Sequence, residues 1–223
     1  MISFVRVAMV GIGLLMAGAV QAQTTSAASN SDGRVYAEVT VGSTFGHVSA
    51  RSAGGELGLR LTDAVEVFVE GGRMNNVDTA ELDARAQTIA TFIRGSASAV
   101  QKADFFDLGV KYRFPMGGMV RPYIGVGVGL AKVTRQVSFT VNGTDVTSQL
   151  SGDPYRTELG TDLSDAVNKT FVMVAFGAQA AIARHFVVDG SYRYGRILPK
   201  TDVIDGDVAI TAQRVQIGVG VRF

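Results

Sequence analysis

The chain contains no cysteine and no tryptophan, and only four prolines among 223 residues. Without cysteine there is no disulfide, no thiolate metal site and no thiol nucleophile, so backbone pairing and packing must hold the fold. Without tryptophan, any interfacial aromatic belt must come from tyrosine and phenylalanine. Scarce proline beside 27 glycines suits many strands with little room around some of them. A long apolar run is missing too: after the first 22 residues nothing approaches the roughly 20 apolar residues of a membrane-spanning helix. Nor does one sign of charge dominate. The net charge is +1, which gives no electrostatic case for nucleic acid or an anionic surface.

The first 22 residues read as a cleavable secretory signal. Arg6 supplies a short basic region, Val7 to Met16 an apolar run, and Val20-Gln21-Ala22 a small-residue cleavage site before Gln23. The apolar run is too short for a membrane anchor. Cleavage would remove Arg6 and bring the net charge to zero. Residues 23–33 then form a short N-terminal segment, and 34–223 one β-domain.

What the chain has in quantity is alternation. From Arg214 to Phe223, Val215, Ile217, Val219, Val221 and Phe223 fall on one face of a strand, and Arg214, Gln216 and Arg222 on the other. Similar segments lie near 34–45, 54–62, 64–74, 104–114, 119–134, 170–182, 185–197 and 210–223. Their connections alternate between short turns, such as Pro115-Met116-Gly117-Gly118, and longer links, of which 75–103 and 135–169 are very long. An even number of strands with both ends at the short turns is the pattern of an outer-membrane barrel. Only helices and closed barrels satisfy every backbone group in lipid. The expected fold is all-β: an eight-stranded antiparallel up-and-down transmembrane β-barrel with short periplasmic turns and long extracellular loops.

The faces separate this reading from a soluble barrel. Aromatics cap the aliphatic face at both ends: Tyr112, Phe114, Phe186 and Phe223 near the short turns, and Phe45, Phe106, Tyr192 and Tyr194 near the long loops. That makes two interfacial girdles. The opposite face carries charges that nearly balance. Glu38, Glu56, Glu66, Glu70, Asp107 and Asp189 meet Arg60, Lys111, Arg113, Arg121, Arg193, Arg214 and Arg222, and paired charges can occupy a narrow interior. An eight-strand bore is just wide enough for side chains to fill, so a largely closed, salt-bridged lumen is expected.

The segments Gly109-Val110-Lys111-Tyr112-Arg113-Phe114, Arg121-Pro122-Tyr123-Ile124-Gly125-Val126-Gly127-Val128-Gly129, Asp189-Gly190-Ser191-Tyr192-Arg193-Tyr194-Gly195 and Gly218-Val219-Gly220-Val221-Arg222-Phe223 resemble the small outer-membrane β-barrel family. That family includes the opacity-type proteins and the barrel domain of outer membrane protein A. The resemblance covers the whole mature chain and implies a Gram-negative outer membrane rich in lipopolysaccharide. It also implies that Phe223 carries the terminal signal read by the barrel-assembly machinery. Outer membrane protein A continues into a peptidoglycan-binding domain; this sequence stops at Phe223, so tethering through such a domain is not expected.

Catalytic chemistry finds little support. His47 and His185 fall at opposite ends of the expected barrel, and Ser43, Ser49 and Ser52 near His47 lack a strained nucleophile turn. Asp202, Asp205 and Asp207 do not match a calcium loop; Asp205-Gly206 and Asn142-Gly143 read as hairpin turns. No catalytic residue, cofactor or metal is expected. In the long second link Leu82, Ala86, Ile89 and Ile93 recur at helical spacing after Asp78, but a loop packing on itself is favoured over a helix. The expected role is non-enzymatic: envelope integrity and display of segments 75–103 and 135–169 to host, phage or surface ligands. A narrow porin is the alternative, and a lipid-modifying enzyme a more distant one.

Overall fold

The computed structural model describes residues 34–46, 49–77, 80–116, 118–150, 166–183, 185–199 and 209–223. The signal segment, residues 23–33, His47, Asp78 and the hairpin at Asp202–Asp207 lie outside the described residues. Within them run β1 (Val35–Phe45), β2 (Ala50–Arg60), β3 (Val65–Met74), α1 (Ala80–Phe92), β4 (Ser96–Arg113), β5 (Val120–Val141), the two-residue β6 (Thr144–Asp145), β7 (Ala166–Ala181), β8 (Phe186–Ile197) and β9 (Ile210–Arg222). The eight long strands pair antiparallel in the order β1-β2-β3-β4-β5-β7-β8-β9, and β9 pairs back onto β1. At that seam Tyr36 stands opposite Arg222, and the Phe223 N–H donates to the Val35 carbonyl at 2.8 Å. Closure leaves the wall without a free edge.

Alternation along each strand fixes the faces. Val39, Leu108, Val126 and Val219 point outward, Val39 at 69 % exposure, while Glu56, Lys111 and Arg193 on the other face are each 1 % exposed. An apolar exterior around a charged interior inverts the soluble arrangement and fits a lipid bilayer. No helix among the described residues is long and apolar enough to cross a membrane; the strands do the crossing.

Four strands begin or end beyond their expected limits. β2 starts at Ala50 rather than 54, β4 at Ser96 rather than 104 and β7 at Ala166 rather than 170, while β5 continues to Val141 rather than 134. Segments 75–103 and 135–169 are therefore not simply free loops. Alternation persists through Ala97 and Ala99, but such small residues carry weak strand preference. The last β3–β4 partners are Met74 and Ala103, and the last β5–β7 partners Thr134 and Ala166. Past them Ser96–Gln101 and Arg135–Thr140 pair with each other, a ribbon projecting roughly 20 Å at about 3.3 Å per residue. Its strand β5 turns back through Asn142 (φ 51°) and Gly143 (φ 80°) onto β6, with both central residues left-handed, as a type I′ turn requires.

The helix α1, a single α-helix among the described residues of an otherwise all-strand barrel, corrects the reading of its segment as a self-packed loop. Glu81 and Asp83 lie in its first turn, where they favour the helix dipole, and Arg85 donates to Glu81 at 2.8 Å one turn away. Ala86, Ile89 and Ala90 bury against Val137, Phe139 and Leu150, with Leu82 and Ile93 partly covered. A 13-residue helix is marginal alone; docking on the ribbon stabilises it. Arg94 (φ 55°) ends it, and the Gly95 N–H donates to the Ala90 carbonyl at 2.8 Å. A Cβ at Gly95 would sit 2.6 Å from the Thr140 carbonyl oxygen, so glycine is what lets the helix end lie against β5.

Candidate functional site

The inward faces meet in a chain of alternating charge across the bore. Lys111 of β4 donates to Glu56 of β2, which also accepts from the Tyr36 hydroxyl. Arg193 of β8 donates through Nη2 to Glu56 Oε2 at 2.6 Å and through Nη1 to Glu70 Oε2. Arg214 of β9 completes the chain to Glu70 Oε2 at 2.7 Å. All five charged residues are at most 3 % exposed. Charges removed from water this far need partners and further hydrogen bonds, and the rings supply extra contacts. Lys111 Nζ lies 5.0 Å from the Phe68 ring centroid and 4.9 Å from that of Tyr123, and the Arg214 guanidinium carbon 4.2 Å from that of Phe105.

The remaining expected inward residues occupy different settings. Glu66 is 3.9 Å from Lys111 Nζ and 3.7 Å from Arg113 Nη1. Asp189 accepts from the Tyr123 hydroxyl at 3.0 Å. Glu38 and Asp107 are buried, with no hydrogen bond to either carboxylate oxygen. Arg60, Arg113 and Arg222 are buried toward the short-turn end, whereas Arg121 is half-buried.

Toward the long-loop end the lumen holds an apolar layer, beside which Thr44, Gln101 and Lys169 are also buried. Phe105, Phe171, Met173, Met74, Val133 and Ile197 belong to one buried cluster that also reaches Phe68 and Tyr123; Phe105 and Phe171 ring centroids lie 5.8 Å apart. This layer was not read from the sequence: Phe68 and Met173 share their strands' inward parity, but parity alone does not show that they meet across the bore. Nor were the Tyr36 and Tyr123 hydroxyls and the buried Lys169. The inward glycines supply room: a Cβ on Gly58, Gly109 or Gly177 would strike the ring of Tyr36, Phe68 or Tyr123 respectively.

Of the residues weighed for catalysis, His47 lies outside the described residues, while Ser43, Ser52 and His185 lie within them. Ser52 faces the lumen while Ser43, opposite Arg51, faces away. His185 Nδ1 lies 3.2 Å from the Arg222 carbonyl oxygen at the short-turn end.

The chain belongs to the outer membrane protein beta-barrel domain family, whose model matches residues 12–223. Its family points to the Gram-negative outer membrane. In fold it is similar to Neisserial surface protein A, at 17% identity over 86% of this chain and 98% of that one, with a TM-score of 0.50. The N-terminal barrel of OprF from Pseudomonas aeruginosa gives 18% identity over 86% and 99%, with a TM-score of 0.49. The outer membrane enzyme PagL gives 12% over 82% and 97%, with a TM-score of 0.40. At such identities the likeness is one of fold alone. No curated protein sequence matches the chain.

Proposed function

We propose that this is a non-enzymatic outer-membrane barrel with a closed bore, serving envelope integrity and displaying a rigid surface platform. The observation that carries this reading is the chain Lys111–Glu56–Arg193–Glu70–Arg214, which spans the lumen beside an apolar layer. A solute pore needs a water path past that chain. On this reading the short turns face the periplasm and the ribbon with α1 faces the exterior, where loops on a rigid scaffold carry recognition. Host, phage or envelope ligands would then meet segments 75–103 and 135–169, and Phe223, exposed beside the β1–β9 seam, would serve the barrel-assembly machinery.

The absence of cysteine makes Phe92→Cys a unique thiol on α1, at a site 81 % exposed. A membrane-impermeant maleimide is expected to label it on intact cells. Labelling only after the outer membrane is permeabilised would contradict the proposed display.

A further inference from the structure

Charge inside the barrel is sorted along its axis. Toward the short turns the inward positions near the strand ends hold Arg60 on β2, Glu66 on β3, Arg113 on β4, Arg121 on β5 and Arg222 on β9. Among the described residues, Glu66 is the inward carboxylate beside Arg113. Deeper in, Glu38, Glu56, Glu70, Asp107 and Asp189 outnumber Lys111, Arg193 and Arg214, so the two layers lean to opposite signs.

Arg113 is the centre of the basic layer. It is 2 % exposed and feels the positive charges of Arg60, Arg121 and Arg222, with Glu66 its main opposing charge. Glu66 Oε2 stands 3.7 Å from Arg113 Nη1, beyond a hydrogen bond. Nε and Nη1 of Arg113 and Nε of Arg60 are buried and make no hydrogen bond. Buried guanidinium donors are ordinarily satisfied. These side chains point into the lumen rather than toward lipid, so snorkelling to the membrane surface does not account for them.

We propose that the short-turn mouth of the lumen binds a small multivalent oxyanion, a phosphate or phosphate monoester, between Arg60, Arg113 and Arg121. Planar guanidinium forks match the tetrahedral oxygens of phosphate, and a doubly charged group offsets more of the local excess than a carboxylate does. Arg121, half-buried, lines the approach. The ligand phosphate belongs either to a soluble molecule or to a lipid headgroup. The site stands whether or not the opposite end of the barrel binds a partner.

The test is calorimetric titration of the folded barrel, in a phosphate-free detergent, with inorganic phosphate at ionic strength held constant by chloride. Saturable binding is expected, weakened at least tenfold in both Arg113→Gln and Arg121→Gln. Arg73→Gln, which alters an exposed pair with Asp104 (2.5 Å), leaves it unchanged. Arg121→Gln keeps the test alive if the more buried Arg113→Gln fails to fold. Repetition in phosphatidylglycerol nanodiscs separates the sources: retained binding assigns a soluble phosphate, and loss by competition a headgroup phosphate. No saturable binding in detergent, or equal binding in Arg121→Gln, overturns the proposal.

Discussion

Arg193 and Glu70 stand on diametrically opposite strands of the eight-strand ring, and the guanidinium donates through Nη1 to the carboxylate across the bore. The same guanidinium reaches Glu56 through Nη2 at 2.6 Å. One side chain thus ties β8 to β2 and β3, and leaves Glu56 with Lys111 and Glu70 with Arg214 as further partners.

Removal of Arg193 takes one cation from each of two buried carboxylates, leaving Glu56 to Lys111 and Glu70 to Arg214. Breaking a buried pair from one side costs roughly 3–5 kcal/mol, and the remaining cations place Arg193→Leu toward the lower end. Urea unfolding of the barrel in lipid vesicles measures this. Arg193→Leu combined with Glu70→Gln is expected to recover part of the loss, since the pair removes one buried charge of each sign.

On the proposed closed-bore reading, the ion pairs seal the lumen and the apolar layer serves packing. Phe105→Ala deletes a ring that contacts Phe171 and lies over Arg214, and such truncations cost about 3–5 kcal/mol. Stability is expected to fall by that order while the bilayer current stays at baseline. Current steps in Phe105→Ala would transfer the closure from the ion pairs to the aromatics.

Gly109 and Gly190 form a matched pair. A Cβ at Gly109 would enter the Phe68 ring, whereas one at Gly190 meets nothing within 4 Å. Overpacking of this kind costs roughly 1–3 kcal/mol. Gly109→Ala is therefore expected to lower the unfolding midpoint, and Gly190→Ala to leave it within error. Equal midpoints would contradict the inward stacking of Phe68.

Ile89 is 3 % exposed between α1 and the ribbon. Ile89→Asp buries a charge without a partner and is expected to release the helix while sparing the wall. Limited trypsin digestion should then cut faster at Arg85 and Arg94, with the membrane-embedded fragment still folded. Unchanged cutting would show that the helix does not depend on that contact.

Much of the wall was legible because its signal is local. Period 2 in Val215 to Phe223 and in Phe106 to Phe114 fixes which side chains face lipid, whatever the neighbouring strands do. The partners inside the bore were not legible. Glu56 and Arg193 are far apart in sequence and meet through the closure of the ring, which no strand states by itself. The inward set was nearly balanced in sum, yet its register puts arginines toward one mouth and a carboxylate excess above them. Ser96–Gln101 and α1 were misread for a related reason: Ala97 and Ala99 look unstructured until β5 supplies their partners, and Ala86 and Ile89 gain a helix only from the ribbon they cover.

Closure of the bore is tested most directly by planar-bilayer recording of the refolded, inserted barrel. With the chain from Lys111 to Arg214 intact, no steady current steps are expected at any moderate voltage. Reproducible unitary steps from correctly folded barrel would contradict a sealed lumen and show a water path past Arg193 and Glu70.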